Sequence, residues 1–468
     1  GGLMALSLSS CVNGEVDPVD NTPQEEIKAL RFNIKVVNES NIETKVVKTG
    51  WQVGDKIFVF FNVTKQPSSM YSTGYLDAYR YVTLTYNGTD WDGAFSSSNT
   101  EDYKRLGTEG IMYAVYYPFG NVVYSSGSLV STGHTNPVLN GDVYSYYLID
   151  EAGSPYTMTL GDVATLSGTL HIALPEKFVY FYIDKQGDKF NESEKYRLSV
   201  EGVKPATVKS WSNGVFTTKE LGAGKPMWGY KYGDGIAFAG MLDDSWTSPA
   251  DHKFILFSDG DPALSKTMKN VTLPNRYSVK LANPLASTNG WGPAMEAPRR
   301  KIEMGAGGLK WGLYNLGAEN IDEYGTAFRW GEIVPYSGTC DDRYATHSLT
   351  GNYAIYDVAR AYLGSDWRMP TDAEVTAMKD GSTQTGPSSG TVTGGAFSVK
   401  GVKCESKTEP KNSIFFPTYD GSNGSLWTST AANSKAAPRY FVYSSSLGRS
   451  SQSDISNASA VRPIYIGN

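Results

Sequence analysis

From Leu30 the chain alternates. Leu30, Phe32, Ile34 and Val36 are apolar, with Arg31, Asn33 and Lys35 between them. A period of two puts one set on one face of an extended chain, which predicts a half-buried strand. Ile57-Phe58-Val59-Phe60-Phe61 is apolar on both faces, as in a strand buried inside a sandwich. The run Tyr81 to Tyr86 stops at Asn87-Gly88, a strong hairpin signal, and Trp91 returns on the partner strand. Ile111 to Tyr117 gives another strand, and Gly120 to Asp150 is polar and looser. A second series begins near residue 156, with strands at Lys177–Ile183, Tyr196–Val200, Gly235–Met241, Lys253–Phe257 and Tyr277–Leu281. Asn213-Gly214 marks a hairpin between Trp211 and Phe216. Short strands between turn signals, with no long helical period before Ala282, predict β-sandwiches or Greek keys.

Ala282 to Arg300 carries Pro284, Pro293 and Pro298 among Gly, Asn and Ser, and reads as a linker. Beyond it the pattern changes. Asp357 to Leu363 has an amphipathic helical period. Thr371 has the position of an N-cap, with Glu374 as its capping-box partner, and a helix from Asp372 to Lys379 follows. Loops and short strands fill the rest, which predicts an α+β domain. The expected units are 1–31 (signal remnant, tether and removable strand), 32–155 and 156–285 (sandwiches), 286–300 (linker) and 301–468.

Composition narrows the function. With 468 residues the chain is long enough for several domains. It carries 31 Tyr, and only 19% of its residues are charged. The net charge is −6, and no Lys/Arg cluster stands out, so no nucleic-acid partner is expected. Tyr and Trp in a weakly charged, Ser/Thr/Asn-rich chain suit an adhesive surface; sandwich cores also consume Tyr. The four His residues, His134, His171, His252 and His347, have no metal-ligand spacing. A His-Glu-x-x-His zinc motif, a Gly-x-Ser-x-Gly elbow and a phosphate loop are all missing. Asp243-Asp244 and Asp341-Asp342 are neighbours that face apart. We therefore expect no enzyme, no catalytic residue, no metal and no cofactor.

The apolar run Leu3 to Leu8 leads into Ser9-Ser10-Cys11 and resembles a bacterial lipobox. That resemblance implies lipidation of Cys11 and an anchor in the outer membrane. Val12 to Glu26 then reads as a polar tether. Of the two other cysteines, Cys340 and Cys404, two readings stand open: a disulfide in an exported protein, or free thiols.

Two resemblances follow. Cys11, Trp51 with Gly54-Asp55-Lys56-Ile57, Tyr116-Tyr117-Pro118, and Leu273-Pro274 with Tyr277 to Leu281 resemble the fimbrillins of Bacteroidales surface pili. The third unit resembles the domain named after the major paralogous proteins of Fibrobacter succinogenes, similar in turn to the C-type-lectin and formylglycine-generating-enzyme fold. Its motifs are Lys310 to Ala318, Phe328 to Glu332, Asp357 to Ala359, Gly364 to Glu374, Ile414 to Pro417, Leu426 to Thr430 and Ala460 to Ile464. The implied fold class is mainly β: two Greek-key or transthyretin-like sandwiches followed by an α+β C-type-lectin-like domain. Trp311, Trp330, Trp367 and Trp427 are expected as core rings, and Arg368 and Arg462 as hydrogen-bonding pins.

The fimbrillin resemblance implies a lipid-anchored precursor of the outer membrane that later joins an extracellular fimbrium. A maturation protease removes the first strand, and the next pilin subunit donates a replacement. Arg31 is the candidate cut, making Phe32 the new N-terminus; the alternative is an ordinary surface Arg at a strand start. Ala460 to Ile466 matches the closing strand of the third unit and leaves nothing to donate, which implies a tip subunit. For a glycan or protein ligand the candidate loop is Tyr419, Asp420 and Asn423, against the reading of an ordinary solvated turn. Glu409-Pro410-Lys411-Asn412 departs from the calcium-lectin pattern by an inserted Lys. The rival function is a surface glycan-binding lipoprotein that never polymerises.

Overall fold

The computed structural model describes residues 29–38, 51, 53–66, 74–75, 81–95, 105–116, 121–125, 128–132, 148–172, 178–183, 195–212, 215–220, 226–232, 235–242, 246–271, 277–281, 290–305, 307–335, 347–433, 436–443 and 445–468. Within them the chain is mainly β, as the alternating patterns predict.

The first sheet has eight strands. Its order is Ala29–Asn38, Val163–Ile172, Leu148–Thr159, Glu109–Tyr116, Lys56–Lys65, Val82–Tyr86 and Trp91–Phe95, with Gly74–Tyr75 laid on Lys56–Lys65. Lys56–Lys65 takes partners on both sides and is buried on both faces, which is why its sequence does not alternate. Asn87-Gly88 closes a hairpin. Tyr86 faces Trp91, and Asn87 Oδ1 accepts the N–H groups of Thr89 and Asp90 at 3.0 and 2.8 Å. The first core contains Phe58, Phe61, Val82 and Met112, but also Tyr156, Leu166, Leu170 and Ile172. The expected boundary at 155 is therefore corrected. The chain returns through 148–172 to pair with Glu109–Tyr116, and the first unit runs to Ile172.

The second sheet has ten strands, ordered Val215–Glu220, Val203–Ser212, Gly235–Leu242, Met227–Tyr232, Arg197–Val200, Ala250–Phe257, Leu264–Val271 and Gly292–Pro293. Phe178–Ile183 lies between Gly235–Leu242 and Tyr277–Leu281, parallel to the latter. Trp211 is paired with Phe216 in the antiparallel register, as the sequence predicts. The expected linker needs a second correction. Gly292 and Pro293 pair antiparallel with Ser265 and Leu264, and Ala294 N–H donates to Ala263 O at 2.8 Å. This part of the connection is a strand of the second sheet.

The third unit is α+β. Ile464–Tyr465 lies between Lys310–Gly312 and Trp367–Arg368, and Lys301–Glu303 adds a fourth strand. Helix α1, Val358–Leu363, is capped by Asp357, whose Oδ1 accepts Ala359 N–H and Arg360 N–H at 2.9 and 3.1 Å. Helix α2, Asp372–Asp380, has the predicted capping box: Thr371 Oγ1 accepts Glu374 N–H at 3.3 Å, and Glu374 Oε2 accepts Thr371 N–H at 2.7 Å. The same carboxylate takes a bidentate fork from Arg368 at 2.8 and 2.6 Å. Trp311, Trp330, Trp367 and Trp427 are all core rings. Arg462 is buried with its guanidinium spent on Asn315 Oδ1 (2.8 Å), Gly312 O (3.1 Å), Leu313 O (2.6 Å) and Phe415 O (2.6 Å).

The second and third units share a core. Trp228, Ile255, Phe257 and Ala263 pack in one cluster with Phe328, Trp330, Tyr356 and Tyr362. Phe257 meets Tyr362 edge-on, ring centroids 5.2 Å apart. Arg197, buried beside the Trp228 and Phe257 rings, donates to Ile355 O.

Candidate functional site

The leading strand, Ala29–Asn38, is held on one side only among the described residues. Its ten residues run parallel to Val163–Ile172, from Ala29 opposite Val163 to Asn38 opposite Ile172. The alternation predicted at Leu30, Phe32, Ile34 and Val36 is realised: Ile34 is buried and the other three are half-buried against the first core. Arg31 points to solvent and Phe32 inward. The ring of Phe32 lies against Gly93 in Trp91–Phe95, where any Cβ would collide with it. Glycine is required there by close approach.

Arg31 is only the third residue of this strand. The residues that fill the core, Phe32, Ile34 and Val36, all follow it. A cut after Arg31 would trim three strand residues and leave seven paired. Cys11 and the tether lie outside the described residues.

At the other end, Lys310 and Trp311 pair with Tyr465 and Ile464 from one side, and Trp367 and Arg368 from the other. Ile464–Tyr465 is engaged on both edges. Ile466 N–H goes to Asp366 O at 2.7 Å.

The expected ligand loop is an ordered turn. Asp420 Oδ1 accepts Ser422 N–H and Asn423 N–H at 2.8 and 2.7 Å. Those bonds hold its carboxyl below the usual carboxylate range. One Asp420 oxygen is therefore engaged by its own turn. Tyr419 stands 75% exposed, its ring edge-on to Tyr324 with centroids 5.4 Å apart. Tyr324 Oη donates to Ser425 O at 2.8 Å and accepts Ser425 N–H at 3.0 Å, which fixes the loop to the strand that follows it.

That strand, Gly424–Trp427, pairs with Ala436–Val442, Ser425 opposite Phe441 and Trp427 opposite Arg439. The register carries three further side chains to the same face. Arg439 sits over the Phe441 ring at 4.5 Å and the Trp427 ring at 5.4 Å. Phe441 stacks with Tyr443, centroids 5.9 Å apart, and Tyr443 is 48% exposed. Sequence reasoning missed Tyr324, Arg439, Phe441 and Tyr443. The signal was present as alternation, Arg439-Tyr440-Phe441-Val442-Tyr443, with Tyr440 and Val442 turned into the core.

The cysteine question divides. Cys404 is a free thiol in Gly401–Ser406, fully buried, and burial pushes it up to about 12. Of the two open readings, Cys404 is the free thiol; Cys340 lies outside the described residues. Glu409 and Asn412 are occupied in other ways. Glu409 stands 3.7 Å from Lys411 Nζ, and Asn412 Nδ2 donates to Glu303 O at 3.1 Å. Among the described residues no three His, Cys, Asp or Glu side chains converge as metal ligands, and no helix is long and apolar enough to cross a membrane.

No protein-family model matches this chain, and no curated protein matches it. Among solved structures it is similar to a fimbrial protein from Bacteroides ovatus ATCC 8483, at 13% identity, covering 93% of this chain and 99% of that one, with a TM-score of 0.23. A cell-adhesion candidate from Bacteroides fragilis NCTC 9343 gives 8% identity over 56% of this chain and 96% of that one, TM-score 0.28. A second, from Bacteroides ovatus ATCC 8483, gives 12% identity over 55% and 92%, TM-score 0.27.

Proposed function

We propose that the chain is a lipid-anchored surface subunit of a fimbrium, an adhesin whose leading strand is exchanged for a strand of a neighbouring subunit. The observation that carries this reading is the single-sided, parallel seat of Ala29–Asn38. Strands of a sandwich that are consecutive in sequence ordinarily pair antiparallel through short turns. A parallel edge strand is joined to its ladder partner only through distant chain, so it can leave without unthreading the sheet. Its departure uncovers Ala164, Leu166, Leu170 and Ile172, all fully buried now, together with a row of backbone N–H and C=O groups. An extended strand with apolar residues at alternate positions satisfies both needs.

The vacating cut lies beyond Asn38. Lys45 and Lys48 are the next basic residues, in a segment outside the described residues. Cys11 would hold the precursor on the outer membrane until that cut frees the body. Ile464–Tyr465 is committed on both edges and so does not serve as a donor. A terminal place in the fimbrium, with the third unit facing outward, belongs to the same reading.

Limited digestion of the whole chain with a Lys-specific protease, followed by sizing and mass spectrometry, tests the reading. Loss of 29–38 from a folded body, and recapture of a synthetic peptide of that sequence, is expected. A cut chain that keeps the strand, or resists cutting altogether, favours the surface binder that never polymerises. Strand-vacated copies mixed together should stay monomeric, and long homopolymers would overturn the terminal place.

A further inference from the structure

Arg439, on the third unit, makes no ion pair among the described residues, unlike three of its neighbours. Arg360 has Asp259 at 3.8 Å, Arg368 has Glu374 at 2.6 Å, and Arg449 lies against Asp372 at 2.5 Å. Arg439 is half-buried, yet among the described residues its one hydrogen bond is Nη1 to Ser459 Oγ at 3.4 Å. Its Nε is buried without an acceptor. Asp454 is near enough for its field to reach the guanidinium but makes no ion pair with it; burial pulls the Arg439 pKa down more strongly than that field restores it. A cation flattened on Phe441 and Trp427 is partly compensated by the ring faces. It still lacks the carboxylate that its planar fork matches best.

Two exposed rings, Tyr419 and Tyr443, stand at one end of the strand pair that carries this guanidinium. The register sets the loop 419–423 beside the end of Ala436–Val442, since Gly424 faces Val442. Tyr419, braced by Tyr324, and Tyr443, stacked on Phe441, both stand at that end. Both rings are anchored by contacts on one edge or face while much of their surface meets water. Beneath the guanidinium, the buried hydroxyls of Ser425 and Ser459 lie 2.8 Å apart, and Ser459 Oγ accepts from Arg439 Nη1. Flat apolar rings suit the C–H face of a pyranose, and a fork of N–H donors suits a carboxylate.

We propose that this face binds a carboxylate-bearing sugar, with Arg439 on the carboxylate and Tyr419 and Tyr443 against the ring. The proposal rests on reading the third unit as the outward binding module, and it gives that module its ligand class. Calcium takes no part, because the donors are N–H groups and rings.

Calorimetric titration of the whole chain with 3′-sialyllactose, lactose and a glutamate-rich tetrapeptide is the test. Sialyllactose should bind at least about tenfold more tightly than lactose, the scale of one charged hydrogen-bonding pair. R439Q should erase that preference. Y419A and Y443A, at exposed rings, should weaken both sugars and preserve the preference. Because Arg439 also covers Trp427, R439K serves as the second variant: it keeps the charge, loses the fork and should retain only part of the preference. Equal affinity for the two sugars, an indifferent R439Q, or tighter binding of the peptide would overturn the proposal. Strand release is scored on the same samples. A chain that releases its strand but ignores sialyllactose refutes this ligand class alone, whereas one that binds the sugar and never releases the strand refutes the assembly reading alone.

Discussion

Asp357 is the residue on which the third unit turns. Its Oδ1 caps α1, while Oδ2 accepts Met369 N–H at 2.8 Å, so one carboxylate ties a helix to the strand-and-turn segment twelve residues later. Burial raises its pKa to about 6, outweighing the three N–H donors and Arg368, which pull the other way. An unfolded Asp titrates near 3.9, so the folded chain takes up this proton first. The stabilisation from that proton is fully present below the unfolded value and is lost as pH rises through about 6. At about 1.4 kcal/mol per unit the whole effect is about 3 kcal/mol. Urea midpoints of the wild type and Asp357→Asn at pH 4 and pH 7.5 should therefore show the wild type losing ground to the variant as pH rises. A gap that does not change with pH would mean that the carboxyl is ionised throughout. Arg462 makes a simpler case. Arg462→Met strips three backbone carbonyls and Asn315 of their donor and should cost about 3–5 kcal/mol in the same assay. Asp357 was marked in the sequence as the start of a helical period rather than as a pin, and Arg462 was legible as a hydrogen-bonding pin from its motif, Ala460 to Ile464. Arg439 was not, because which face of an alternating run is covered depends on a neighbouring sheet that the run does not encode.

At the scale of elements, the alternation at 30–36 announced a strand but said nothing of its partner. Parallel pairing with Val163–Ile172 joins residues more than a hundred positions apart, and period alone cannot choose among strands. The missed boundary has the same origin. The polar stretch 120–150 looked like the end of a unit, whereas Leu148–Thr159 comes back to Glu109–Tyr116 across it. The Phe32 contact with Gly93 supplies a handle on the leading strand. Gly93→Val should drive the Phe32 ring out and loosen the strand without touching the second or third unit. Tryptic cleavage at Arg31 and Lys35 should then accelerate at least about tenfold, equivalent to about 1.4 kcal/mol of lost local stability when opening precedes cutting. Mass spectrometry of early digests reads this directly, and unchanged cleavage would show that the ring contributes nothing to holding the strand.

The whole molecule departs most from the expectation of three units on linkers. The first sheet has its own cluster of buried residues, against which part-buried Tyr182 and Met241 of the second unit pack, whereas the second and third units meet through Phe257, Trp228 and Tyr362 inside a single cluster. Polar contacts reinforce the seam. Arg360 Nη2 donates to Asp259 O at 2.9 Å, Ser365 N–H to Gly260 O at 2.9 Å and Ala263 N–H to Tyr362 O at 3.2 Å. Gly364 packs against the Gly260 carbonyl and Pro262, at a positive φ of 88°. An interface built this way resembles a core cut in two more than a wet contact between mobile domains. If the chain is the fimbrial subunit proposed above, such a seam would carry force between the second unit and the Tyr419 face through packed side chains. The expected consequence is one cooperative unfolding transition for 178–468. Phe257→Ala removes a fully buried ring from the seam and should cost about 3–5 kcal/mol. In differential scanning calorimetry that loss should lower the joint transition as one peak and leave the transition of the first sheet in place. If Phe257→Ala instead split the peak, with the third unit still melting at its original temperature, the two would be independent domains and the load would have to pass through the connection at 290–300 alone.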